Sequence, residues 1–313
     1  MRGFRTIAIG VTLLSLLTAG CFDLKSVSQV EEFRVLGVSA DPPEIAPGDG
    51  IRMSVLWADP EGEGRPVSFA WVGCAGLLKA PAAFESCEMV LPPVTGTADE
   101  GMDAIDIPYT PQEEMKKRMK EHDMDFIQLT FIVLMCAGGE LPAADEYAFI
   151  GEMEDISTLC EGGDGIAAYK TVTISNAEDP QRNPEIENLL LDNVELLPDD
   201  EGGVGTIRCA ETEGCGAEAA LSLRLTPESL QTYEVIEDGE AVTVEESLYV
   251  SWFVTDGDVE ISGGGSETDD PLGPIENTWR PETPGTHTIY AVAHDSRGGV
   301  SWKVYTVEVL PPG

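Results

Sequence analysis

Positive charge is what this chain most lacks: 18 Lys and Arg stand against 57 Asp and Glu in 313 residues, a formal net charge of −39. A surface of that sign gains nothing from a phosphate backbone, which excludes nucleic acid as a partner. Histidine is nearly missing as well, present only as His122, His287 and His294. His122 falls in a charged helical stretch, and the other two share a strand pattern with opposite facing, so neither meets an obvious nucleophile. The neighbours His294, Asp295 and Ser296 hold the right residue types for a triad, but adjacent residues on a strand and its turn do not meet triad geometry. No GxSxG, HExxH, P-loop or dinucleotide fingerprint occurs. Carboxylates are so abundant that a pair suited to glycoside hydrolysis is always available on paper, which makes abundance uninformative. The expectation is a protein that is not an enzyme, with a carboxylate-dependent hydrolase as a remote alternative.

The chain has no room at its start for a spanning helix. Its apolar stretch from Ile7 to Leu17 is short of the ~20 residues a membrane crossing needs, yet it follows Arg2 and Arg5 and precedes small residues, the three parts of an export signal. The closing residues Leu17-Thr18-Ala19-Gly20-Cys21 resemble the lipobox of bacterial lipoproteins. That resemblance implies a diacylglycerol on the Cys21 thiol, removal of residues 1–20 and acylation of the new amino terminus. Each buried methylene adds ~0.8 kcal/mol, and stable anchoring takes more than one chain, which two or three acyl chains satisfy. Phe22 stands where Asp would signal inner-membrane retention in such lipoproteins, so the resemblance favours the outer membrane, periplasmic or surface-facing. Residues 21–31 then read as the lipidated cysteine and a tether of about ten residues, at most ~35 Å when extended.

Setting Cys21 aside leaves six cysteines, Cys74, Cys87, Cys136, Cys160, Cys209 and Cys215. Their pairing cannot be read from sequence alone. Their order suggests three local bridges, Cys74–Cys87, Cys136–Cys160 and Cys209–Cys215, suited to an oxidising compartment. A zinc site is the weaker reading, because no CxxC occurs and no His lies near any of them.

Past the signal, short runs with period-two alternation are separated by Gly/Pro/Asp turns, the pattern of an all-β sandwich. Ile51, Met53, Val55 and Trp57 fall on one strand face; Val67, Phe69 and Trp71 follow, with Asp59–Gly64 as the turn between. Phe126 to Cys136 is dense enough for a central strand, and Tyr169 to Ile174 alternates again. Thr110-Pro111-Gln112-Glu113 is a capping box with Pro at the first helical position and predicts a helix near 111–122. Its Met115 and Met119 would face inward, and its Lys116, Lys117, Arg118 and Lys120 would relieve the surrounding negative potential. Residues 176–185 carry two prolines and almost no apolar residue and read as a linker. The pattern then restarts with Leu189–Leu191, a second acidic turn and a second aromatic strand, Tyr249–Val254, centred on Trp252 as the first was on Trp71. This is the mark of a divergent duplication. The expected domains are a first sandwich over 32–175 and a second over 186–313.

The closing segments Tyr249-Val250-Ser251-Trp252-Phe253, Asn277-Thr278-Trp279-Arg280-Pro281, Pro284–Tyr290 and Asp295–Trp302 resemble the last strands of bacterial immunoglobulin-like and PKD-like modules, as found in bacterial lipoproteins. The resemblance implies two immunoglobulin-like β-sandwich domains in tandem, with the helix in the E–F connection and Phe126–Cys136 as the F strand. Cys74 and Cys136 do not suit the B–F bridge of antibody domains, so the resemblance concerns architecture and lends no antibody-like site.

Three binding readings follow. Asp256, Asp258, Asp269 and Asp270, with Asp199-Asp200-Glu201, lie in acidic loops of the kind that supply calcium with six to eight oxygens, although no EF-hand or RTX spacing is present. Trp279 and Trp302, if exposed together, would make a sugar-stacking platform and a carbohydrate-binding accessory protein. The leading expectation is a lipid-anchored, exported envelope protein serving binding, adhesion or assembly, its partner an envelope protein or glycan, with the Trp279–Trp302 module farthest from the bilayer.

Overall fold

The computed structural model describes residues 26–60, 62, 64–75, 89–90, 93–98, 104–109, 117, 119–120, 126–143, 159–212, 214–237, 240–266 and 270–313. Two sandwiches are built in succession, each from a pair of antiparallel-dominated sheets. In the first, β1 (Arg34–Asp41), β3 (Ile51–Ala58) and β7 (Ala104–Tyr109) form one sheet in the order β1-β3-β7. The facing sheet runs β2 (Glu44–Ile45), β9 (Asp164–Ser175), β8 (Phe126–Ala137), β4 (Val67–Ala75) and β5 (Met89–Val90), with β6 (Val94–Ala98) also on β4. The alternation read from the sequence sets the inner faces: Met53, Val55, Phe69, Trp71, Leu129, Phe131, Val133 and Met135 fill one core.

The second sandwich repeats the plan. One sheet runs β11 (Val194–Leu196), β10 (Ile186–Leu191), β13 (Ala219–Leu225), β19 (Ile275–Arg280) and β17 (Asp258–Val259). The other runs β12 (Val204–Arg208), β21 (Val300–Leu310), β20 (Gly285–Asp295), β16 (Leu248–Val254) and β18 (Gly263–Gly265). In both halves the short second-edge strand pairs in parallel with the last strand: β2 with β9 and β12 with β21. Both Trp-centred strands, β4 and β16, lie beside the penultimate strand, β8 and β20. This shared order is the immunoglobulin-like arrangement, and it gives the duplication read from Trp71 and Trp252 a topological counterpart. A two-stranded ribbon, β14 (Thr232–Glu237) with β15 (Glu240–Glu245), stands between β13 and β16 outside both sheets.

The sandwiches are stacked face to face. Leu36, Leu56 and Ala58 on the outer face of the β1-β3-β7 sheet, together with Val30, pack on Tyr290, Val292 and Val300, flanked by Phe253, Trp302 and Val304 on the outer face of β16-β20-β21. Three apolar layers therefore separate four sheets. A bulge in β1, where the register jumps between Val35 and Gly37, makes this possible. It turns Leu36 toward the second sandwich while Val38 and Ala40 stay in the first core. Gly37 sits where a Cβ would lie 3.3 Å from Val292 Cγ1 and 3.4 Å from Trp302 Cε3, so the bare backbone lets the sheets approach.

The outer face of the first sandwich is also covered. Ala70, Val72, Ile132 and Leu134 are buried there under Leu141 and Leu159, which belong to the loop closed by Cys136–Cys160 (Cα–Cα 5.3 Å). The Cys209–Cys215 bridge (Cα–Cα 4.5 Å) closes the loop after β12 and is buried in the second core. Of the helix expected near 111–122, Lys117, Met119 and Lys120 are described; they are helical, and Met119 is buried in the first core.

Two connections carry contacts that the sequence pattern does not show. The 21–31 segment is not a free tether along its length, because Ser28 and Val30 are buried and backbone bonds run from Val30 N to Val254 O (2.8 Å) and from Val254 N to Ser28 O (2.9 Å). Residues 28–30 thus extend the second sandwich, at the end of β16. Residues 176–185 carry no strand, as a linker should, yet Gln181 is buried and tied to both halves. The partners of both segments come from elsewhere in the chain, which local pattern does not reveal.

Candidate functional site at the seam between the sandwiches

The seam is polar around its apolar patch, and nearly every group in it is matched. The Asn183 side-chain amide donates to Ala40 O of the first sandwich (2.7 Å), and its oxygen accepts from Val300 N of the second (2.9 Å). Ser39 Oγ donates to Val300 O. Glu44, on β2, accepts from Ser175 Oγ and from Gln181 N (2.7 Å). The Gln181 amide donates to both oxygens of the buried Asp295 (3.0 and 3.1 Å), which also accepts from Arg297 N and Gly299 N, both at 2.8 Å. Arg297 lies against the Tyr233 ring of the β14–β15 ribbon (5.0 Å) and donates to the buried Glu246. Lys170 on β9 reaches across to Gly298 O.

Burial sets the electrostatics of this cluster. It pushes the Lys170 ammonium down to about 8, against which the charge of Asp295 acts. It pushes His294 down to about 4, assisted by the Lys170 charge. Burial also raises Glu246, opposed by the Arg297 hydrogen bond. Each shift is the cost of holding a charge away from water. Hydrogen-bonded or ion-paired groups offset part of that cost here, but Glu246 Oε2 and His294 Nε2 are buried without a partner among the described residues; the His294 ring stacks on Tyr249 at 4.6 Å. Asp295 is fully engaged by Gln181 and its own loop, and Ser296 Oγ accepts from Ser247 N (3.2 Å). The three neighbours therefore hold the loop together and form no triad. The arrangement fixes two bodies and a segment in one geometry.

The other predicted residues sit elsewhere. Cys21, Cys87 and Asp269 lie outside the described residues, and so does the proposed Cys74–Cys87 bridge; the backbone of Cys74 is the next-to-last position of β4, opposite Val90 and Thr130. The Asp256 carboxylate ties the turn after β16 to the loop before β20, accepting from Glu282 N (2.8 Å), Thr283 N (3.0 Å) and Thr283 Oγ1 (2.8 Å). Asp258 is exposed on β17 opposite Arg280. Asp270 accepts, through its backbone carbonyl, from Gly273 N (2.9 Å). Asp199 Oδ2 accepts from Thr306 Oγ1 (3.0 Å). Among the described residues no three His, Cys, Asp or Glu side chains form a group that could hold a metal ion.

The sugar platform is overturned. Trp279 is fully buried in the second core and donates from Nε1 to Asp256 O (2.9 Å), while Trp302 packs into the seam. Neither ring presents an open face to a sugar in company with the other.

Of the residues that make the seam, Glu44, Lys170, Gln181, Asn183 and Arg297 are not singled out by sequence reasoning, and Asp295 enters it only as a triad residue type. One signal was available: Ile289-Tyr290-Ala291-Val292-Ala293 has no polar face, which in a strand means cover on both sides.

No protein-family model and no curated protein matches this chain. Solved structures similar to it include red sea bream transglutaminase, at 10% identity over 90% of this chain and 32% of that one, with a TM-score of 0.25. The E. coli alpha-2-macroglobulin shares 12% identity over 90% of this chain and 16% of that one, TM-score 0.28. The Yersinia pseudotuberculosis adhesin InvE shares 12% over 87% of this chain and 58% of that one, TM-score 0.20. The chain thus spans less than two thirds of each, and likeness at this level carries no functional argument.

Proposed function

We propose that this chain is an exported, lipid-anchored, non-enzymatic module of the bacterial cell envelope, held at the outer membrane through Cys21 and serving binding, adhesion or assembly with an envelope protein or glycan. One observation carries most of the reading: the chain just after the lipobox is built into the folded body. Ser28 and Val30 bond to Val254, and Arg34 reaches back to Val27 O (2.6 Å) while lying over the Phe253 ring (5.2 Å). Acyl chains on Cys21 would be separated from Ser26 by about five residues, a span of at most ~18 Å. Both sandwiches would then be carried beside the bilayer as one unit, which suits a platform that presents its surfaces to a partner. The sign of the surface supports a cationic partner and speaks against nucleic acid.

Fractionation tests the anchor. The wild-type chain should enter the detergent phase and sediment with outer membranes, and Cys21→Ser should appear in the soluble fraction. Equal partitioning of the two would overturn the reading.

A further inference from the structure

The second sandwich is open at one corner. The sheet containing β10 ends at β11, and the sheet containing β21 ends at β12; neither outer edge is paired with another strand among the described residues. Between these two edges lies a groove of about 390 Å³, lined by Leu191, Asp192, Glu195, Leu196, Gly205 and Ile207, among others. The sequence builds it deliberately. Asp192 and Asn193, at φ 50° and 65°, make the two-residue turn that folds β11 back on β10. The side chains of Leu191 and Leu196 reach toward β12, where a Cβ on Gly205 would lie 2.8 Å from Leu196 Cδ1 and 3.1 Å from Leu191 Cδ2.

Its rim is unusual for an acidic protein. Val194, Leu197 and Val204 line the opening and are 69%, 45% and 61% exposed. Natural edge strands are blunted by shortness, lysine, proline, inward charge or a covering loop; β11, at three residues, and β12, at five, are short, but β11 reads Val-Glu-Leu and β12 reads Val-Gly-Thr-Ile before its first cation, Arg208. That arginine is turned to Pro311 O (2.7 Å). Over residues 186–207 the chain carries Glu187, Asp192, Glu195, Asp199, Asp200 and Glu201 and no Lys or Arg. A second copy of this chain would bring the same charge to the same place and is repelled.

We propose that this corner binds an extended, basic peptide segment of an envelope protein by strand addition, its backbone pairing with an open edge, its alternate apolar side chains entering the groove and its lysines or arginines meeting the acidic rim. Edge pairing supplies affinity and the side-chain pockets supply selectivity in this mode of recognition. The inference rests on the binding-module reading and names the ligand class. It is separable from the anchor, because the fractionation of Cys21→Ser does not depend on the groove.

The test uses the whole purified chain and two labelled octapeptides of equal charge, one alternating Val and Lys, the other alternating Ser and Lys. Fluorescence anisotropy at physiological salt should show the Val/Lys peptide binding at least about tenfold more tightly. Val204→Lys, at an exposed position that leaves the core untouched, should erase that advantage, whereas Glu228→Gln, an equal change of charge at an exposed site on another loop, should leave it. Equal binding of the two peptides to the wild type, or an advantage that survives Val204→Lys, overturns the proposal and reduces the contact to unspecific attraction to an acidic surface.

Discussion

His294 shows how single residues in the seam record the work of assembling it. Its imidazole is shifted from 6.5 to about 4, first by burial and then by the Lys170 charge. Between those two values the unfolded chain takes up a proton that the folded chain refuses. The group therefore costs nothing above pH 6.5, and stability is lost as the pH falls from 6.5 toward 4. His294→Phe keeps a ring against Tyr249 and removes a nitrogen that has no partner among the described residues. The variant should gain little at pH 8 and clearly more at pH 5, so its melting temperature, followed by calorimetry, should fall less steeply with acid than that of the wild type. Parallel curves would show that His294 is not held neutral. None of this was legible from the residue itself: His294 reads locally as one more position on an alternating strand, and its protonation is set by burial first and by the Lys170 charge from the other half second.

At the scale of elements, β1 and the Cys136–Cys160 loop decide which sheet faces are covered. The bulge at Leu36–Gly37 lets one strand serve two apolar layers, and at Gly37 an added Cβ would press on Val292 and Trp302. Gly37→Val should cost roughly 1–3 kcal/mol, the usual range for overpacking, seen as a lowered denaturant midpoint; an unchanged midpoint would mean the seam is looser than its geometry. Reduction or paired alanine replacement of Cys136 and Cys160 should cost about 3 kcal/mol for a loop of this length and should also uncover Ile132 and Leu134, raising the binding of an apolar dye. Most strands were legible: the alternation of 51–57 and 67–71, the dense run of β8 and the closing hairpin all lie where the pattern puts them. The second face of β20 and β21 was legible too, in Tyr290, Val292, Trp302 and Val304, but it takes a second sheet to explain why a strand beside a polar turn should be apolar on both sides. Trp279 and Trp302 were readable as aromatic anchors or as a platform, and the choice depended on tertiary burial.

For the whole molecule, the seam changes what a tandem of sandwiches means. A linker free of contacts would leave the halves to move independently, and the module carrying Trp279 and Trp302 would stand farthest from the anchor. Instead Val30 and Ser28 bond to the second sandwich, Gln181 and Asn183 bridge both, and four sheets share three apolar layers. The surface charge, dominated by 57 acidic residues, keeps such bodies apart from one another and leaves the corner between β11 and β12 as an apolar exception on an anionic surface. The most direct test of the stacked arrangement is small-angle X-ray scattering from the chain without its first 20 residues and with Cys21→Ser. One compact body of this length has a radius of gyration near ~19 Å, and the account predicts a value close to that with a single maximum in the pair-distance distribution. A clearly larger radius with a second maximum would show two sandwiches swinging on a free linker, and would contradict it.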